Sequence, residues 1–132
     1  MIFHSEKNEI IALLDWELST LGHPYADLAY HCMQWRLPRI GRIKGLAGLD
    51  CTTLGIPTEE NFIADYCRRL GIGKIPNWNF YLAFSFFRLA AIVQGVKKRA
   101  LMGNASSDRA LEIGKLVQPL AEMGFKIFRE EN

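Results

Sequence analysis

Ile10-Ile11-Ala12-Leu13-Leu14-Asp15-Trp16-Glu17 is an apolar run that stops at two carboxylates separated by a single residue. Such a run reads as a buried strand. The carboxyl end of a strand is where α/β proteins place ligand chemistry. On an extended chain Asp15 and Glu17 project from the same side. Two hard oxygen donors at a strand end suit Mg²⁺, which usually takes one or two carboxylates together with phosphate oxygens. The plainer reading is a strand that ends in a polar turn.

Upstream, Met1 to His4 reads as a partner strand, Ser5-Glu6-Lys7-Asn8 as the turn, and Glu9 to Asp15 as the returning strand. Two strands alone are marginal in water, and their edges need a neighbour. Downstream, Gly22-His23-Pro24 is a turn. Pro24 opens a helix to about Trp35, since the N–H it lacks is not needed there. Asp27 sits in the first turn of that helix, where a carboxylate meets the positive end of the dipole.

The segment from Asp15 to Tyr30 resembles one in the aminoglycoside phosphotransferase-like (APH-like) kinases. More narrowly, it is similar to the kinase-like domain attached to some acyl-CoA dehydrogenases. There the segment reads as an apolar strand, Asp-Trp-Glu, a short loop, Gly-Asp-Pro, then Asp-Leu-Ala on a helix. The resemblance implies that Asp15 binds Mg²⁺, that Glu17 assists, and that Asp27 braces the catalytic loop. It implies ATP as phosphate donor and a small-molecule hydroxyl as acceptor. One position departs, because His23 stands where the family usually has Asp.

In that family the catalytic loop, His-Gly-Asp with Asn a few residues on, comes just before the hairpin. Met1-Ile2-Phe3-His4 resembles the strand that follows it. The expectation is therefore that the catalytic base, a metal-binding Asn, the glycine-rich loop and the phosphate-pairing lysine are absent from this chain. Phosphoryl transfer rests on those parts, so the chain is expected to be inactive alone. The fold expected is mainly helical α+β, the carboxyl-terminal portion of a kinase-like large lobe. It would form a single domain over 1–132, with a β-hairpin in 1–17 and about four helices in 24–132. The alternative is a non-catalytic helical assembly module. In it, a second copy or another partner would cover an apolar surface of the lobe.

Composition suits one folded domain: 132 residues, 49% of them hydrophobic, with a net charge of +2. Mixed charge of that size gives no nucleic-acid signal. Cys32, Cys51 and Cys67 form no Cys-x-x-Cys pair, which fits reduced thiols. No basic-then-apolar leader opens the sequence, and a cytoplasmic location is expected. His31 beside Cys32 suggests a metal pair, but adjacent residues on a helix face different ways and burial explains both.

Arg36 to Pro57 reads as an irregular loop with four scattered glycines. Its cations Arg36, Arg39, Arg42 and Lys44 are candidates for the substrate side, against the simpler view of a solvated loop. Thr58 is a helix cap followed by Glu59 and Glu60, and Gly71 ends that helix. Phe62, Ile63, Tyr66, Cys67 and Leu70 form its stripe. Asn77 to about Leu101 is the longest helix. Ser85, Arg88 and Gln94 interrupt its apolar run, which favours a central buried helix over a membrane span. Arg88 then needs a partner. Residues 103–108 turn into a last helix striped by Ala110, Ile113, Leu116, Val117, Leu120, Met123, Ile127 and Phe128. Pro119 should kink or divide that helix.

Overall fold

The computed structural model describes residues 1–17, 19–40, 43–104 and 109–130. Strands β1 (Ile2–Phe3) and β2 (Ile10–Ala12) form an antiparallel hairpin. Helix α1 (Pro24–Arg36) follows, then a second small hairpin of β3 (Arg39–Ile40) and β4 (Ile43–Lys44). Helices α2 (Glu59–Leu70), α3 (Trp78–Leu101), α4 (Ala110–Gly114) and α5 (Val117–Arg129) complete the order. The fold is mainly helical with little sheet, as the sequence led us to expect.

The helix boundaries follow from local chemistry. Pro24 occupies the first turn of α1. Thr58 caps α2 by accepting the Asn61 N–H at 3.2 Å. Gly71 ends α2 in the left-handed conformation, φ 67°, which costs glycine little. Ile72 N–H then donates back to Cys67 O at 3.0 Å, folding the chain over the helix end. The last helical stretch breaks at Lys115 and Leu116, separating α4 from α5. Pro119 accounts for the division: it has no N–H for the Lys115 carbonyl, and its ring crowds that oxygen. Residues 105–108 of the preceding turn lie outside the described residues.

Helix α3 is the axis. Its Leu82, Ala83, Phe86, Ala90 and Val93 meet Leu28, Ala29, Cys32 and Met33 of α1 and Leu120 and Ile127 of α5 in one core. Gly124 lets α5 come close, because a Cβ there would lie 3.1 Å from Ala83 O. Burial of α3 is a stripe rather than all-round. By length and composition it is apolar enough to cross a membrane, yet only 28% of its most apolar window is buried. It contacts α1, α4 and α5 and leaves Phe80, Phe84, Phe87 and Ile92 exposed. Arg88 is exposed too, and its partner is the face of Tyr30, 4.8 Å away.

Three expectations are corrected. The apolar run around β2 is not a buried strand: Ile10, Ile11, Leu13 and Leu14 are all more than half exposed. The first hairpin pairs with itself, and among the described residues no helix packs closely over it. The loop after α1 is not wholly irregular, since it contains the β3–β4 hairpin. Leu70 and Phe128, placed on core stripes, are exposed.

Candidate metal corner and the polar clamp behind it

Strand β2 ends at Ala12, so Asp15 and Glu17 lie beyond it. Asp15 adopts φ 74°, a left-handed conformation that aspartate tolerates better than most residues. Strand alternation is therefore broken, and a turn rather than a pleat presents the two carboxylates. Trp16 and Ser19 brace that turn. The Trp16 indole donates to Leu13 O at 2.7 Å. Ser19 donates twice to Trp16 O, from its hydroxyl at 2.6 Å and its N–H at 3.0 Å. Sequence reading gave Trp16 and Ser19 no role, although a tryptophan between two carboxylates was the available signal.

Asp15 and Glu17 are exposed, and among the described residues neither carboxylate carries a hydrogen bond or ion pair. No group of three or more histidine, cysteine or acidic side chains comes together among the described residues. By donor chemistry, two free carboxylates would supply part of a Mg²⁺ shell, the remaining positions going to phosphate oxygens and water.

Asp27 is exposed in the first turn of α1, too deep to cap it. His23 caps instead, its Nδ1 accepting the Tyr25 N–H at 3.4 Å. The imidazole also packs on Tyr25 (4.7 Å between centroids) and on Tyr81 of α3 (5.3 Å). An aspartate could make the cap but not this aromatic link between α1 and α3.

The cations after α1 do not act as one group. Arg36 is engaged by Glu59, with Nε–Oε2 at 2.9 Å and Nη2–Oε1 at 3.2 Å. Arg39 is exposed and stands opposite Lys44 across the β3–β4 hairpin. Arg42 lies outside the described residues. Glu59, read from sequence only as a first-turn acid, is 8% exposed. It also accepts the Trp78 indole N–H at 3.1 Å. One buried carboxylate therefore ties α2 to both α1 and α3.

Cys32 lies against this clamp and is fully buried. Burial pushes its thiol up to about 12, with the Glu59 charge adding and Arg36 opposing. The folded chain thus holds a proton that the unfolded chain releases near the ordinary value of 9.0. This contribution to stability is complete below about pH 9 and is lost as pH rises toward about 12. Urea midpoints measured at about pH 8 and about pH 10.5 should fall more for the native chain than for Cys32→Ala. Equal falls would remove Cys32 as the cause.

Comparison with known proteins agrees with this architecture. The family model for phosphotransferase enzymes (APH) matches residues 1–84. The chain belongs to that phosphotransferase family. Acyl-CoA dehydrogenase family member 10 of Mus musculus is 52% identical over 139 residues, covering 98% of this chain and 13% of that protein. Family member 11 of Homo sapiens is 45% identical over 128 residues, covering 96% of this chain and 16% of that protein. A crystal structure from Ralstonia eutropha, described as a "putative aminoglycoside phosphotransferase", superposes with a TM-score of 0.89 at 49% identity. It matches 98% of this chain, which spans 39% of that one.

Proposed function

We propose that this chain supplies the metal corner of an ATP- and Mg²⁺-dependent phosphotransferase that acts on a small-molecule hydroxyl. The observation that carries the reading is the braced turn with two exposed, unpaired carboxylates, Asp15 and Glu17, inside the segment that matches the family. Asp15 is the principal Mg²⁺ ligand and Glu17 supports it. Bound Mg²⁺ neutralises charge on the ATP phosphates. Asp27 braces the catalytic loop from the start of α1.

Arg39 and Lys44 are the substrate-side cations, with Arg42 between them in sequence. Like charges opposite one another across a hairpin repel, and an anionic group on the acceptor relieves that repulsion. Kinship with proteins named for acyl-CoA dehydrogenation tilts the acceptor toward acyl-linked metabolism. The free thiols of Cys32, Cys51 and Cys67 suit a reducing, cytoplasmic compartment. The sequence has no His-Gly-Asp motif and no glycine-rich nucleotide loop. The chain by itself is accordingly expected to bind without turnover.

Thermal unfolding with and without Mg²⁺-ATP tests the corner, with Asp15→Asn as the control. A rise of about 2–4 °C at saturating ligand is expected only with Asp15 intact. The same rise in both proteins would take Asp15 out of the metal site. No rise in either would assign metal binding to a larger assembly than this chain.

A second reading rests on the exposed apolar surface. Phe80 (50% exposed), Phe84 (44%), Phe87 (64%) and Phe125 (63%) line one side of α3 and α5. A patch of this kind favours association, with a second copy or another chain of the assembly as partner. A stable monomer across a wide concentration range in sedimentation would count against it.

A further inference from the structure

A cleft of about 490 Å³ opens between α2 and the segment that leads into α3. It lies apart from the Asp15 turn, and nothing in the phosphotransfer reading uses it. It is lined by Ile63 and Cys67 of α2, Ile72 and Ile75 of the returning segment, and Trp78 at the start of α3. Two features hold it open. The Ile72 N–H donates to Cys67 O and fixes the returning segment over the end of α2. The Trp78 indole is pinned to Glu59. The volume falls within the range of small-molecule pockets, which are apolar with a few polar groups at fixed places.

The charge at the mouth is asymmetric. Arg68, Lys74 and Glu60 line it. Glu60 is turned back on its own helix start, where its own N–H and the Thr58 hydroxyl hold its carboxyl below the usual range. Arg68 is shared with Asp65 at 2.8 Å. Lys74 is exposed and makes no ion pair or hydrogen bond among the described residues. We propose that this cleft binds a small amphipathic anion, an apolar chain or ring seated on Ile63, Ile75 and Trp78 with its single negative head at Lys74. The proposal is independent of the metal corner.

Decanoate, below its micellar concentration, is the probe, and calorimetric titration of the 132-residue chain is the measurement. Saturable binding at one site is expected. Ala64→Trp, at an exposed position on the cleft wall, should abolish it. Lys74→Glu should weaken it about fivefold at low salt while leaving decanol unchanged. Ala121→Trp, in the separate apolar groove between α3 and α5, should leave decanoate binding intact. Loss of binding in Ala121→Trp but not in Ala64→Trp would overturn the proposal, as would no binding at all. An equal effect of Lys74→Glu on decanoate and decanol would overturn the anionic-head assignment. Circular dichroism of each variant guards against a folding defect read as lost binding.

Discussion

Gly45→Ala should lower stability by about 4 kcal/mol or more, the largest effect we expect of any single methyl group added to this chain. A Cβ at Gly45 would overlap Leu37 O, which is backbone and has no rotamer to yield. The close approach has a structural reason. The chain leaving β4 crosses the carboxyl end of α1, where carbonyls lack helical partners. Leu46 N–H donates to Gln34 O at 2.7 Å and Ala47 N–H to Leu37 O at 3.2 Å. Only a residue without a side chain fits between them. A methyl group must lift the segment and break both bonds. Domains of this size carry about 5–15 kcal/mol in total, so the loss would be a large part of the stability. An unfolding free energy from denaturant titration within about 1 kcal/mol of the native chain's would show that the crossing can open at little cost.

Glu59→Ala should cost about 3 kcal/mol, because it removes the buried carboxylate and leaves the Arg36 guanidinium without its counter-charge and the Trp78 N–H without an acceptor. The Arg36 side chain is 33% exposed and can recover some water, which keeps the figure at the lower end for broken buried pairs. Glu59→Gln should cost less, about 1.5 kcal/mol, since an acceptor oxygen remains. A ranking with Gln as damaging as Ala would mean that charge, rather than hydrogen bonding, holds the clamp. A loss below about 0.5 kcal/mol for Glu59→Ala would mean that α2 is held by something else.

Local signals in the sequence were reliable where one residue decides the outcome. Pro24, Thr58 and Gly71 each sit at a helix boundary, Thr58 through its hydroxyl and the other two through their backbone, and Pro119 lies in the first turn of α5, just past the break at Lys115 and Leu116. The Asp15 to Tyr30 spacing led to the family. What depended on distant contacts was not legible. Nothing near Glu59 in sequence announces Arg36, 23 positions back, or Trp78, 19 positions on. The apolar run before Asp15 suggested burial, but burial needs a covering layer, and hydropathy says nothing of who provides it. His23 looked like a departure from pattern. It became a cap only once Tyr25 and Tyr81 were seen against its ring.

Helix α2 has an unusual standing in this fold. Glu59 and Cys67 are its only buried residues among those described, and its backbone makes few close approaches to the other helices. Held by this polar clamp and by half-buried Phe62, Ile63 and Tyr66, α2 can detach without dismantling the α1–α3–α5 core. Exchange of its amide protons would then report a local opening of lower free energy than global unfolding. Each such opening would bare the Cys67 thiol to solvent, so the chemical vulnerability of that cysteine is set by the strength of a carboxylate two turns away.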